Sequence, residues 1–248
     1  MKKTALKSLI ILIALTLALA SLGAFSAQRN ANSLLQTTAR AQGKEDGCPP
    51  NRVDAASALG MLTTGNERRW RGTMAIRNWA DERTKTATCQ SPFAIVVACM
   101  DSRVPPELIF DQGLGNIFVL RVAGPVLNSD ELASLEYALV NLQVKLVAVL
   151  GHTDCGAVKG AVDRAAGNYL PELLCKIEPA ITYVSDRYNA RVRIDSKNKE
   201  NLNRVSSANA RIVASRIPTF DQPGVRVTWG LYHTGSGKVD FEPKEPWK

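Results

Sequence analysis

The chain has 248 residues, 45% of them hydrophobic and 22% charged. That is enough for one domain with a full apolar core, and it excludes a disordered or fibrous protein. The net charge of +8 is not a nucleic-acid signature, because the basic residues are scattered, with one loose cluster at Arg187–Arg204, and no aromatic residues interleave with a basic stripe.

At the N-terminus, Met1–Ser8 carries Lys2, Lys3 and Lys7 and no acid, and Leu9–Phe25 forms an apolar run of 17 residues. Small-x-Ala sites follow at Ala18–Ala20 and Ala39–Ala41, with Ala27 another possible end. These features in this order predict a secretory signal over residues 1–27. The run sits at the lower edge of bilayer-spanning length, so an uncleaved membrane anchor is the alternative. Either way the body is expected outside the cytoplasm, periplasmic or extracellular. Removing residues 1–27 leaves a net charge of +5. Residues 28–50 read as a polar linker ending at Cys48-Pro49-Pro50, and the body as residues 51–248.

Within the body, Glu67–Arg83 is polar and arginine-rich, with Trp70, Met74 and Trp79 at helical spacing. Phe93–Cys99, Asn116–Val122 and Val144–Leu150 are apolar runs without clean alternation, which suits strands covered on both faces, as in a parallel sheet. Between the last two, Leu132, Leu135 and Leu139 predict a helix over Asp130–Leu142, with Asn128 and Glu131 placed as a capping box. Strand, helix and strand at this spacing argue for a right-handed crossover. Val225–His233 and Lys238–Glu242 flank Thr234-Gly235-Ser236-Gly237, a hairpin pattern at a sheet edge. The expected class is α/β: a mostly parallel central sheet flanked by helices, with an N-terminal helical arm and a C-terminal edge hairpin.

Two short stretches begin where apolar strands end: Cys99-Met100-Asp101-Ser102-Arg103 and Gly151-His152-Thr153-Asp154-Cys155-Gly156. Open α/β sheets build their sites at the carboxyl ends of strands, where loops from separate strands converge. Cys99, Asp101, His152 and Cys155 together offer two thiolates, an imidazole and a carboxylate, a donor set suited to tetrahedral Zn²⁺. Taken singly, a strand-end cysteine is most often a small buried apolar residue, and a phosphate-loop reading fails because Ala157 stands where lysine is needed. The two motifs together carry the argument.

Cys-x-Asp-Ser-Arg, followed some fifty residues later by Gly-His-x-x-Cys-Gly, resembles the signature of the β-class carbonic anhydrases. The resemblance extends through Gly65-Asn66, Cys99–Phe110, Gly115–Gly124, Ser134–Ala138, Gly151–Val158, the stretch from Leu170-Pro171 to Pro179, and the Gly230–Phe241 hairpin. It implies reversible hydration of carbon dioxide to bicarbonate, with zinc generating hydroxide at neutral pH. Cys99, His152 and Cys155 are then the constant ligands. Asp101 is either a fourth ligand or the partner of Arg103, whose planar fork grips a carboxylate bidentately; held away from zinc, it orients the hydroxide. Two thiolates neutralise the metal's charge, so activity is expected to rise towards alkaline pH. The resemblance also implies a homodimer or higher even homo-oligomer, with the metal near the subunit interface. Pro125 departs from the family's usual asparagine, and proline removes a backbone donor there. Two rival readings share the fold: a hydrolase of carbon disulfide or carbonyl sulfide, and a non-catalytic zinc- or bicarbonate-binding module. Retention of Asp101 and Arg103 argues against the second.

Three cysteines remain, Cys48, Cys89 and Cys175. In an oxidising compartment one disulfide among them is plausible, Cys48–Cys89 or Cys89–Cys175, with buried free thiols as the alternative.

Overall fold

The computed structural model describes residues 53–187 and 194–243. The signal segment, the linker and Cys48 lie outside the described residues. Five strands form one sheet in the order β2-β1-β3-β4-β5: β1 (Ala94–Ala98), β2 (Ile117–Arg121), β3 (Leu146–His152), β4 (Arg226–Tyr232) and β5 (Val239–Phe241). The first four are parallel and β5 returns antiparallel on β4, as the hairpin pattern predicts. Every residue of β1 and β3 is buried, which explains why neither run alternates. Ala94, Val96 and Ala98 face one core layer with Leu146, Ala148 and Leu150, while Ile95 and Val97 join Val147 and Val149 in the other.

The N-terminal arm departs from the sequence expectation of one helix over Glu67–Arg83. It is α1 (Ala55–Trp70), an extended link, and α2 (Trp79–Thr86). Gly72, at φ 72°, turns the chain out of α1, and Asn78 caps α2 by accepting from the Asp81 N–H. Asp111 explains why the arm breaks. Its fully buried carboxylate pairs with Arg68 of α1 at 2.5 Å and with Arg77 of the link at 3.4 Å. A single straight helix would spread those arginines along its length.

After β1 comes the short helix α3 (Pro106–Ile109), and after β2 comes α4 (Ser129–Glu136), which ends in a π-helical turn at Tyr137–Asn141. The capping pattern is realised: the Glu131 carboxylate accepts from the Asn128 N–H at 2.8 Å. The β2–α4–β3 crossover passes over β1, since β1 lies between the two strands. α5 (Gly156–Val162), α6 (Leu170–Leu174), α7 (Glu178–Arg187) and α8 (Lys199–Ser215) complete the cover. Leu202, Val205 and Ala208 of α8 join the first core layer, and Ala210, Val213 and Ala214 join the second. Cys89 is disulfide-bonded, whereas Cys175 is a free, exposed thiol, which rules out the Cys89–Cys175 pairing. Among the described residues no helix is long and apolar enough to cross a membrane.

Candidate metal centre

Parallel register places Ala98 of β1 opposite Leu150 of β3, so Cys99, just past the end of β1, comes out beside the end of β3, whose last residue is His152. The apolar run of β3 continues through Gly151 to His152, so the histidine stands on the strand itself rather than on the loop after it. Asp154 then turns the chain at φ 55°, a left-handed conformation that aspartate tolerates. That turn brings Cys155 back to the N-terminus of α5. One donor atom from each of Cys99, His152 and Cys155 lies within 4.8 Å of the others, and all three residues are buried.

The polar environment of these donors fits a bound cation. The His152 Nδ1–H donates to the Thr153 carbonyl at 2.9 Å, which leaves Nε2 as the basic nitrogen. Nε2 is buried without a hydrogen-bond partner, an arrangement that costs free energy unless something accepts its lone pair. The Gly124 N–H donates to the Cys99 sulfur at 3.3 Å. The Cys155 thiol, His152 and Gly124 together hold the Cys99 thiol down to about 4, against burial. The Cys99 contact and burial push the Cys155 thiol up, against the N–H groups of Val158 and Ala157. One anion is thus favoured and the second opposed. A divalent cation between the two sulfurs removes that opposition, and two thiolates with one imidazole select zinc.

Asp101 is held by Arg103. Its Oδ1 accepts from the Arg103 N–H at 2.9 Å and Nε at 3.0 Å, and its Oδ2 accepts from Nη2 at 2.8 Å. These bonds hold the Asp101 carboxyl down to about 2 in spite of partial burial. Arg103 Nη2 also reaches the Asp154 carbonyl at 3.2 Å, so one guanidinium ties the first motif to the second.

Four further residues at the site escape sequence reasoning. Arg121 donates through Nε to the Cys99 carbonyl at 3.0 Å and through Nη2 to the Asp101 carbonyl at 2.5 Å, clamping the loop across Met100. Its signal in the sequence is a charge at the end of an apolar strand. Asn203, Ser206 and Asn209 approach from α8, and their signal is polar residues three apart on a helix that also carries the buried apolar residues Leu202, Val205 and Val213. The loop containing Pro125 keeps its place: the proline is buried, and its carbonyl and that of Gly124 face Asn209 at 3.5 and 3.3 Å. The missing proline N–H therefore leaves the Gly124 bond to Cys99 intact.

Sheet order, the two strand-end motifs and the donor set define an α/β protein with a zinc-type Cys-His-Cys centre at the carboxyl ends of its strands. Residues 94–238 match the family model described as carbonic anhydrase. Carbonic anhydrase 2 of Mycobacterium tuberculosis is 34% identical over 191 residues, spanning 73% of this chain and 91% of that protein. The carbonic anhydrase of Mycolicibacterium smegmatis is 33% identical over 167 residues, spanning 65% and 80%. Among solved structures, the β-carbonic anhydrase CafA of Aspergillus fumigatus superposes with a TM-score of 0.59 at 21% identity, covering 77% of this chain and 92% of that one. A tetrameric β-carbonic anhydrase of Sordaria macrospora gives 0.58 at 21% identity, covering 75% and 98%. The chain belongs to the β-class carbonic anhydrase family.

Proposed function

We infer that the protein hydrates carbon dioxide reversibly to bicarbonate and a proton, with zinc as cofactor held by Cys99, His152 and Cys155. The observation that carries this reading is the buried, unpartnered His152 Nε2 facing two sulfurs, with the Asp101–Arg103 pair beside them. Zinc, when bound, makes water a competent nucleophile at neutral pH. The chain's own residues then orient it. Asp101 Oδ2 accepts one bond from Arg103 while Oδ1 accepts two, so Oδ2 keeps lone-pair capacity for a hydrogen bond from the nucleophile. Arg103 keeps that carboxylate ionised and aimed. In this arrangement Asp101 stands on Arg103 rather than on the metal. Stopped-flow hydration of carbon dioxide, with zinc content measured on the same sample, is the test. Stoichiometric zinc without hydration would refute the reading and favour its two rivals, a carbon disulfide or carbonyl sulfide hydrolase and a non-catalytic zinc- or bicarbonate-binding module.

The catalytic unit in this reading is a homo-oligomer. β2 is an edge strand whose Ile117, Phe118, Val119 and Leu120 are only half-buried, and such an edge invites pairing with another strand. Beside it, Phe118, Val119, Leu120 and Tyr137 line an open groove of about 420 Å³. Met100, between Cys99 and Asp101, is 64% exposed, so a second copy on this side would close the site. Sedimentation equilibrium should give an even oligomer, and a monomer at micromolar concentration would refute this. Export, with residues 1–27 as a leader or anchor, residues 28–50 as a linker and residues 51–248 as the catalytic domain, is supported by the charge and hydropathy order of the N-terminus. The disulfide at Cys89 supports it too, since such bonds persist in oxidising compartments. Fractionation of the native host with N-terminal sequencing tests it, and a cytoplasmic, unprocessed protein would refute it.

A further inference from the structure

His152 stands at a place where the sheet runs out. β1 pairs with β3 only as far as Ala98 opposite Leu150, because the chain leaves the sheet at Cys99. Along a strand, successive residues turn their backbone groups to opposite sides. The Thr153 N–H points to β4 and donates to the Tyr232 carbonyl at 2.9 Å. The N–H and C=O of His152 therefore face the side that β1 has vacated. Two buried backbone groups cannot be left there without partners.

Ser206 of α8 supplies both. Its hydroxyl accepts from the His152 N–H at 3.1 Å and donates to the His152 carbonyl at 2.7 Å, and Ser206 is 2% exposed. One hydroxyl thus replaces the missing strand. The close approach depends on Gly151: a Cβ there would lie 2.7 Å from the Ser206 carbonyl oxygen. The motif glycine and Ser206 are two halves of one contact.

Asn209, three residues further along α8, donates to the Gly124 carbonyl at 3.3 Å, and the Gly124 N–H is the donor to the Cys99 sulfur. Asn203, three residues before Ser206, accepts from the Asp154 N–H at 3.0 Å, next to Cys155. Residues three apart lie along one side of a helix. We propose that this side of α8 is the positioning element for all three metal ligands, with Ser206 the positioning residue for His152. The inference rests on the zinc reading above and deepens it.

The test measures zinc affinity by competition with a chromogenic chelator, and the absorption spectrum of the cobalt-substituted protein, in full-length Ser206→Ala, Ser206→Thr, Asn203→Ala and Val213→Ala. Val213 is a buried residue of the same helix in the second core layer, so Val213→Ala loosens α8 without touching the site. Ser206→Ala should weaken zinc about tenfold or more, the usual effect of removing a group that orients a ligand, and should alter the cobalt spectrum. Ser206→Thr, which keeps the hydroxyl, should recover affinity, and Val213→Ala should stay within about twofold of the parent at a comparable loss of stability. A Ser206→Ala affinity within about twofold of the parent, or matched by that of Val213→Ala, would overturn the proposal. Should Ser206→Ala fail to fold, the half-buried Asn203→Ala decides: about threefold weaker zinc with a native melting temperature supports the proposal, and unchanged affinity overturns it. Failure of the parent itself to bind zinc would strike the zinc reading instead.

Discussion

Arg103→Ala separates catalysis from stability at this site. The guanidinium makes two bonds to the Asp101 carboxylate and one to the Asp154 carbonyl. Holding the Asp101 carboxyl at about 2 instead of 3.8 corresponds to at most about 2 kcal/mol of native-state stability. The Arg103 side chain is 53% exposed, so solvent screening reduces this to about 1 kcal/mol. For a chain of this size that is roughly 2–4 °C in melting temperature. The sign follows from the lowered carboxyl: the contribution is complete above pH 3.8 and disappears as pH falls through about 2. Parent and variant should therefore differ in denaturant midpoint at pH 7 and converge towards about pH 2. Catalysis should suffer far more. Without its fork Asp101 no longer holds one orientation, and loss of a positioned hydrogen-bonding group typically costs about 10²–10⁴ in rate. Stopped-flow hydration on zinc-quantified protein gives kcat, and chemical denaturation gives stability. A kcat within about threefold of the parent, or loss of zinc from Arg103→Ala, would refute the reasoning.

Three further outcomes are expected. Gly124→Ala should lower stability by about 2–4 kcal/mol, because a Cβ there would sit 2.7 Å from Ile177 Cδ1 and 2.9 Å from Ala157 Cβ on a backbone at φ 66°; a melting temperature equal to the parent's would count against this packing. Asp111→Ala should cost about 3–5 kcal/mol by leaving Arg68 and Arg77 around an empty position, yet keep zinc in the folded fraction, since neither arginine touches the metal centre; calorimetry with metal analysis reads both. Hydration should rise from pH 6 to 9 with no loss assignable to Asp101, whose carboxyl, held at about 2 by Arg103, stays ionised throughout; a flat profile, or a limb that disappears in Asp101→Asn, would contradict this.

The sequence by itself showed which side chains make up the candidate site. Cys99, Asp101, Arg103, His152 and Cys155 were legible because each motif follows an apolar run, and strand ends in a parallel sheet are where loops meet. The runs marking β1 and β3 were legible because strands buried on both faces need apolar side chains at every position. Over Glu67–Arg83 the tryptophan and methionine spacing predicts one helix where the structure has two: that spacing is local, whereas the break is imposed by Asp111, which lies more than thirty residues away in the chain. Only the tertiary structure decided what holds the ligands. Arg121 acts on carbonyl groups, which carry no residue identity, and Ser206 acts on backbone groups that have no partner only because β1 stops one residue before Cys99. A sequence shows which side chains are present. Which backbone groups a fold leaves without partners depends on where its strands end in space, and in this protein that decides which polar residues support the metal.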